Sequence, residues 1–146
     1  IFALTGVSIL IGSTINRRLL KRHSPLQMIG FGAALAGIAG TQLLIMAWMG
    51  AANFWWLWGN ACLFMCATAF LLPNATAFAL EPVPEIAGVA ASLIGTAQSL
   101  VGATSAIVSS LLYTGTILTV TLGVGLSSIA AALVFLYKKQ VLGDVA

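Results

Sequence analysis

The chain has 146 residues, of which 60% are hydrophobic and only 6% are charged, and its net charge is +3. Soluble domains average about 25% charged residues, so this chain lacks the polar residues that would cover the surface of a soluble enzyme. Its mean hydropathy of +1.08 also excludes a disordered chain, and the composition therefore predicts an integral membrane protein.

Five stretches of the sequence are apolar and are interpreted as membrane-spanning helices, each of which needs about 20 residues to cross the bilayer core. Strands of a membrane β-barrel would be about 10 residues long with alternating polarity, and these stretches are longer and do not alternate. The first stretch has no initiator Met, basic leader or cleavage site, so we expect the remainder of a longer span rather than a signal peptide. The predicted spans cover about residues 1–16, 26–49, 54–80, 88–112 and 116–137. The predicted fold class is an all-α, polytopic transmembrane helix bundle.

The charged residues all fall outside the predicted spans. The connectors after the second and fourth spans carry no charge, so alternating spans would leave every charge on one face of the membrane. The positive-inside rule predicts that this face, and with it the C-terminus, is cytoplasmic. The first group, a topology loop, is Arg17, Arg18, Lys21 and Arg22; Glu81 and Glu85 follow the third span, and Lys138, Lys139 and Asp144 follow the fifth.

The tryptophans gather near the predicted outer end of the second and third spans. Trp rings favour the headgroup interface, where the ring is partly buried and its N–H reaches water, so an interfacial belt is expected. A box of aromatic rings that stacks on a ligand is the alternative. The four residues are Trp48, Trp55, Trp56 and Trp58.

Small residues predict where the helices pack. Helices approach closely in lipid through small side chains, because lipid removes most of the hydrophobic drive between them. In the fourth span, bulky pairs such as Leu93–Ile94 and Leu100–Val101 repeat every seven residues and are expected to face lipid. Gly88, Gly95 and Gly102 lie on the opposite stripe and are expected to pack against another helix. The second span carries two similar series, Gly32, Ala36 and Gly40, and Ala33, Gly37 and Thr41.

Three amide side chains are the candidate residues for a substrate cavity or gate. Asn60 and Asn74 lie fourteen residues apart in the third span and share a face, about 21 Å apart along the helix. Pro73 lacks an N–H and is expected to loosen the helix beside Asn74. Gln98 lies on the small side of the fourth span. The alternative for all three amides is an interhelical hydrogen bond, and Gln42 in the second span is interpreted in that way.

The predicted spans contain no Asp, Glu, Lys, Arg or His, although such groups usually form proton relays at membrane depth. No nucleophile, P-loop or zinc-protease motif occurs, so an enzyme is not expected, and no metal or cofactor is predicted. His23 is interpreted as a solvated loop residue. Cys62 and Cys66 are interpreted as small packing residues, because their spacing does not match a redox or zinc motif. The basic loop is too short to suggest nucleic acid, and anionic headgroups explain it.

Three segments of the chain resemble one known family of transporters. Residues 12–20 read GSTINRRLL, residues 72–80 read LPNATAFAL, and residues 88–98 read GVAASLIGTAQ. They resemble major facilitator transporters, in particular the drug-resistance efflux (Bcr/CflA) subfamily, around the loop after the eighth helix and in the tenth and eleventh helices. The resemblance covers essentially the whole chain, residues 1–146, which would be about a third of such a transporter with its two six-helix halves.

The resemblance implies that the five spans are helices eight to twelve of a twelve-helix fold, in which substrate binds near mid-membrane between the halves. It implies efflux of drugs or small molecules by alternating access in the bacterial inner membrane, driven by protons. The implied partners are membrane lipid, a small-molecule substrate and the missing N-terminal half, which would also have to supply the coupling acids. The alternative function is a non-transporting membrane scaffold or assembly subunit.

Overall fold

The computed structural model describes residues 2–50, 53–113 and 118–143. These residues form five α-helices and one short 3₁₀ turn, Pro84–Ile86, and contain no strand. The predicted all-α bundle is therefore confirmed, and all five predicted spans contain a helix. Ile1, Asp144 and the first two residues of the fifth predicted span lie outside the described residues. The helices are α1 (Phe2–Leu19), α2 (Pro25–Met49), α3 (Phe54–Leu80), α4 (Ala87–Leu111) and α5 (Leu118–Gly143).

Three of the helical segments are long and apolar enough to cross a membrane: Pro25–Met49, Phe54–Leu80 and Pro84–Leu111. The apolar segment of α5, Thr121–Tyr137, is shorter than these three. With 27 residues, α3 is about 40 Å long, which exceeds the roughly 30 Å of a bilayer's hydrocarbon core. Helix α3 is thus long enough to span that core, and with three such segments the chain is a multi-pass membrane protein.

Local sequence signals fix the ends of α2 and the start of α3. At the start of α2, Ser24 Oγ accepts a hydrogen bond from the Gln27 backbone N–H at 3.3 Å, and Gln27 Oε1 accepts one from the Ser24 N–H at 3.2 Å. This capping box satisfies N–H groups that have no partner within the helix. Gly50 ends α2 with a φ of 64°, a conformation that favours glycine. Asn53 Oδ1 then accepts from the Trp55 N–H at 3.0 Å and starts α3.

Helix α2 is the centre of the bundle, with α3 on one side and α5 on the other, while α1 packs on α3. Glycines make these approaches close. A Cβ added at Gly32 would lie 2.9 Å from the Cβ of Phe70 on α3, and one added at Gly40 would lie 2.7 Å from the Cβ of Ser128 on α5. The packing expected from the small residues of the second span is therefore confirmed. These residues of α2 lie in its contacts with both α3 and α5.

The contacts between helices also give their directions. Gly12 of α1 approaches Cys66 and Ala69 of α3, and Asn16 bonds to Asn74 further along both helices, so α1 and α3 run in the same direction. Helix α2 is antiparallel to α3, since residue 32 approaches residue 70 and residue 42 bonds to residue 60. It is also antiparallel to α5, since residue 30 approaches residue 135 and residue 40 approaches residue 128. The C-terminal ends of α1, α3 and α5 therefore lie at one end of the bundle, as the charge pattern predicts for the groups that follow them.

Helix α4 stands apart from this packing. None of its side chains is buried, and a Cβ added at Gly88, Gly95 or Gly102 would meet no described atom within 4 Å. On the opposite stripe, Leu93 is 66% exposed and Leu100 is 63% exposed. The glycine stripe of α4 has no neighbour among the described residues, so its packing against another helix stays a prediction.

Candidate functional site: buried amides and a tryptophan-lined pocket

Asn74 lies in the turn that Pro73 loosens. Pro73 has no N–H to donate to the carbonyl of Ala69, one turn earlier. Asn74 is 3% exposed, and its Nδ2 donates to the Phe70 carbonyl at 2.7 Å and to Asn16 Oδ1 on α1 at 2.9 Å. The side-chain amide therefore adds a bond within the weakened turn and joins that turn to a neighbouring helix.

Asn60 lies near the opposite end of α3 and is also 3% exposed. Its Nδ2 donates to the Ala39 carbonyl at 3.1 Å and to Gln42 Oε1 at 3.0 Å, both on α2. Its Oδ1 is buried and has no hydrogen-bond partner. An unpaired buried polar atom costs about 1–3 kcal/mol of stability. Asn60 therefore has one bonded side-chain group, Nδ2, and one unpaired acceptor, Oδ1.

A pocket of about 380 Å³ opens beside Asn60. Its lining combines two amide side chains with two indole rings. Trp55 and Trp56 are 67% and 59% exposed, so their rings are available to a ligand. The lining residues are Gln42, Trp55, Trp56, Gly59 and Asn60.

The aromatic side chains at this end of α3 contact one another edge to face. Trp55 has its ring centroid 5.5 Å from that of Phe54 and 6.1 Å from that of Trp58. The buried Nε1 of Trp58 has no hydrogen-bond partner, although a buried indole N–H usually finds one. Trp55 and Trp56 are exposed, as an interfacial belt requires, and they also line the pocket, as a ligand-stacking aromatic box requires. Both interpretations of the tryptophans therefore stay open.

Gln98 is not part of either amide cluster. Its side chain is exposed on α4, and no hydrogen bond is described for it. The neighbouring hydroxyls bond within the helix, with Thr96 Oγ1 donating to the Ser92 carbonyl and Ser99 Oγ donating to the Gly95 carbonyl. Gln98 is therefore the candidate whose side-chain amide is free to meet a partner or substrate beyond the described residues.

The structure thus separates the three candidate residues. Asn60 faces α2, Asn74 faces α1, and Gln98 lies on the unpacked α4. Interhelical hydrogen bonds, the alternative for Asn60 and Asn74, are present at both positions, while a role in a cavity or gate stays a prediction for all three. Sequence reasoning missed Asn16 as the partner of Asn74. The sequence signal for Asn16 was its position four residues after Gly12, at the end of an apolar run. Residues four apart lie on the same helix face.

The described part of the chain contains no group of three or more His, Cys, Asp or Glu side chains that could hold a metal ion. Both cysteines are free and half-buried. A Cβ added at Gly12 of α1 would lie 3.1 Å from Cys66 Sγ, so Cys66 packs in the α1–α3 contact, as expected for a small packing residue.

Comparison with known proteins gives one informative likeness. The chain is 41% identical over 58 residues to "Multidrug resistance protein D" of Escherichia coli (strain K12). The matched segment is 40% of this chain and 15% of that relative, so the comparison covers a small part of the longer protein. No family model matches the chain, and no solved structure matches it.

Proposed function

We propose that the chain is part of the C-terminal half of a major facilitator transporter of the drug-resistance efflux type, with α1 to α5 as helices eight to twelve. In this proposal the complete protein lies in the bacterial inner membrane and exports drugs or other small molecules by alternating access. The observation that carries it is the 41% identity to a multidrug resistance protein over 58 residues. A bundle of apolar helices is consistent with that activity.

The exposure of α4 supports the proposal. A helix with 25 residues, no buried side chain and few contacts with α3 and α5 would have lipid over most of its surface if no further helix packed on it. Its glycine stripe, by contrast, is suited to close packing against protein. A second half of the transporter would cover that stripe, so we propose that α4 lies between the two halves.

Gln98 is the residue proposed to face the substrate path or the gate. It is exposed on α4, and a lipid-facing amide is costly, so protein or an aqueous cavity is the expected surrounding. Asn60 and Asn74 stay in the proposal as cavity or gate residues. Their buried hydrogen bonds to α2 and α1 require that these helices move for the side chains to reach a substrate.

Proton coupling is proposed with its acidic groups elsewhere in the protein. The exposed carboxylates of Glu81 and Glu85 lie at the end of α3 and in the short turn after it. Groups that relay protons usually lie within the membrane. The five helices would therefore contribute the cavity wall and the moving interface, and the coupling acids would come from helices outside this chain.

Cysteine labelling of the intact protein tests the proposal. Cys62 and Cys66 are first replaced by Ala, and Gln98→Cys and Leu93→Cys are then compared with a water-soluble thiol reagent. We expect Gln98→Cys to react at least about tenfold faster, because thiolate formation requires water and lipid excludes it. We also expect substrate to slow the reaction. Equal rates at the two positions would contradict a path beside Gln98.

The alternative, a non-transporting scaffold, makes the opposite prediction for export. Cells without other drug exporters are compared with and without the intact gene, and accumulation of a fluorescent cationic dye is measured. The transporter lowers accumulation, and a dissipated proton gradient restores it. A scaffold leaves accumulation unchanged, which would overturn the proposed activity.

A further inference from the structure

The orientation of two amide side chains in the α2–α3 contact is set by one backbone group. The Ala39 carbonyl only accepts, so Asn60 must present its Nδ2 to that oxygen, at 3.1 Å. The same Nδ2 lies 3.0 Å from Gln42, which must therefore present its own acceptor, Oε1. These bonds leave the Nε2 of Gln42, with its two N–H groups, as the uncommitted end of the amide.

The tryptophan-lined pocket is rich in hydrogen-bond donors. Gln42 lines it together with Trp55 and Trp56, and an indole N–H donates but cannot accept. In the described part of the chain, the buried side-chain atoms without a partner are Trp58 Nε1 and Asn60 Oδ1. The Nε2 of half-buried Gln42 is not one of them, so it keeps accessible surface, whereas no ligand reaches Asn60 Oδ1. The lining therefore suits a ligand that brings a hydrogen-bond acceptor.

The shape of the pocket suits a flat ring system. Trp55 and Trp56 are 67% and 59% exposed, and aromatic rings stack on indole faces in offset geometry. Gly59 keeps the space beside them open, since a Cβ added there would meet no described atom within 4 Å. The volume of about 380 Å³ lies within the range of small-molecule pockets, about 300–1,000 Å³.

Charge narrows the ligand class further. The lining side chains are not ionisable, and the sequence of α2 and α3 carries no charged residue. A charged ligand would lose hydration at this pocket without gaining a counter-ion from it. We propose that the tryptophan-lined pocket binds an uncharged, planar aromatic molecule with a carbonyl acceptor. Its rings stack on the indoles, and its carbonyl oxygen accepts from Gln42 Nε2 or from an indole N–H.

A series of four two-ring probes tests this chemistry. Coumarin is uncharged and has a carbonyl acceptor, naphthalene has no acceptor, indole has a donor in place of an acceptor, and N-methylquinolinium is a cation. Each probe is dialysed to equilibrium between the intact purified protein in detergent and the same micelles without protein. Binding that Gly59→Leu removes is counted as binding to the pocket. We expect coumarin to bind about fivefold more tightly than naphthalene or indole, the ratio that one hydrogen bond contributes.

The chain offers a matched pair of glycine variants. Gly59→Leu fills the pocket with a side chain that begins in open space, and it is expected to abolish coumarin binding there. Gly123→Leu adds the same side chain on α5, where an added Cβ also meets no described atom within 4 Å, and coumarin binding is expected to stay unchanged. Gln42→Leu removes the amide donors and should bring coumarin toward the naphthalene level. Should that variant not fold, the glycine pair and the probe series still decide.

Three results would overturn the proposal. They are coumarin binding that is no tighter than naphthalene binding, tighter binding of indole or N-methylquinolinium than of coumarin, and equal effects of Gly59→Leu and Gly123→Leu. The readout is equilibrium binding and involves no transport. A protein that binds coumarin in this pocket without exporting drugs would keep the site and lose the proposed activity, so the two proposals fail separately.

Discussion

Asn74 and Asn16, 58 residues apart in the chain, share a buried hydrogen bond of 2.9 Å between their side-chain amides. The bond joins α1 to the turn of α3 that contains Pro73. Asn74 Nδ2 also donates to the Phe70 carbonyl within that turn, so both of its protons are used. The pair therefore holds a proline-weakened segment against a neighbouring helix at the end of the bundle where α1 and α3 terminate.

Replacing Asn74 by Leu is expected to lower the free energy of unfolding by about 1–3 kcal/mol, because it leaves the buried Asn16 amide without its partner. Asn16→Leu should have a similar effect. The loss of unfolding free energy in the double variant is expected to be smaller than the sum of the two single losses. The difference should be roughly 0.6–2 kcal/mol, the coupling energy of an interhelical hydrogen bond in a membrane. Unfolding in mixed micelles measures all three variants.

Ser13→Ala on α1 is the control for this cycle. Ser13 is half-buried, but its Oγ donates only to the Leu10 carbonyl of its own helix in an exposed hydrogen bond, so its loss should change the unfolding free energy by less than about 0.5 kcal/mol. Additive effects of Asn16→Leu and Asn74→Leu would show that the bond does not stabilise the α1–α3 contact.

Gly40→Ala tests the close packing of α2 on α5. The added Cβ would lie 2.7 Å from the Cβ of Ser128 and 2.9 Å from the Gly125 carbonyl oxygen, and backbone must move to admit it. We expect a loss of about 1–3 kcal/mol. Gly123→Ala on α5 adds the same methyl group where no described atom lies within 4 Å, and it should be neutral. Equal stability of the two variants in thermal unfolding would contradict the packing.

Gly95→Leu tests whether the glycine stripe of α4 meets a second half of the protein. Against a packed helix, the added bulk should lower dye export at least about tenfold, since overpacking strains a close contact. Leu100→Phe adds bulk on the exposed opposite stripe and should leave export near the unaltered level. Expression and folding of both variants are checked by gel filtration. Normal export by Gly95→Leu would place the stripe against lipid.

Orientation is tested with reporters fused at the two ends of the bundle. A reporter after Lys139 should be active only in its cytoplasmic form, because the basic residues of the chain gather at that end. A reporter inserted after Gly50, in the uncharged connector between α2 and α3, should be active only in its exported form. Activity of the same form at both positions would refute alternating spans, and the reverse pattern would invert the predicted topology.

The sequence by itself determined the class and the helices. Long apolar runs bounded by charge or by turn residues leave few other structures, because each unpaired backbone group is costly in lipid. The ends of the five predicted spans consequently differ from the ends of α1 to α5 by at most six residues, and both ends of α3 agree. The close packing of the α2 glycines could also be predicted, since small residues at helical spacing indicate a close helix contact. They do not indicate which helix is the neighbour.

The tertiary structure decided the partners. That Asn60 bonds to Gln42 and Asn74 to Asn16 depends on how each helix is rotated and how far it is shifted along its neighbour, and periodicity within one helix carries neither quantity. The glycine stripe of α4 makes the same point from the other side. Its spacing is that of a packed surface, yet no described side chain covers it. Packing is a relation between two surfaces, and the sequence of one helix describes only its own.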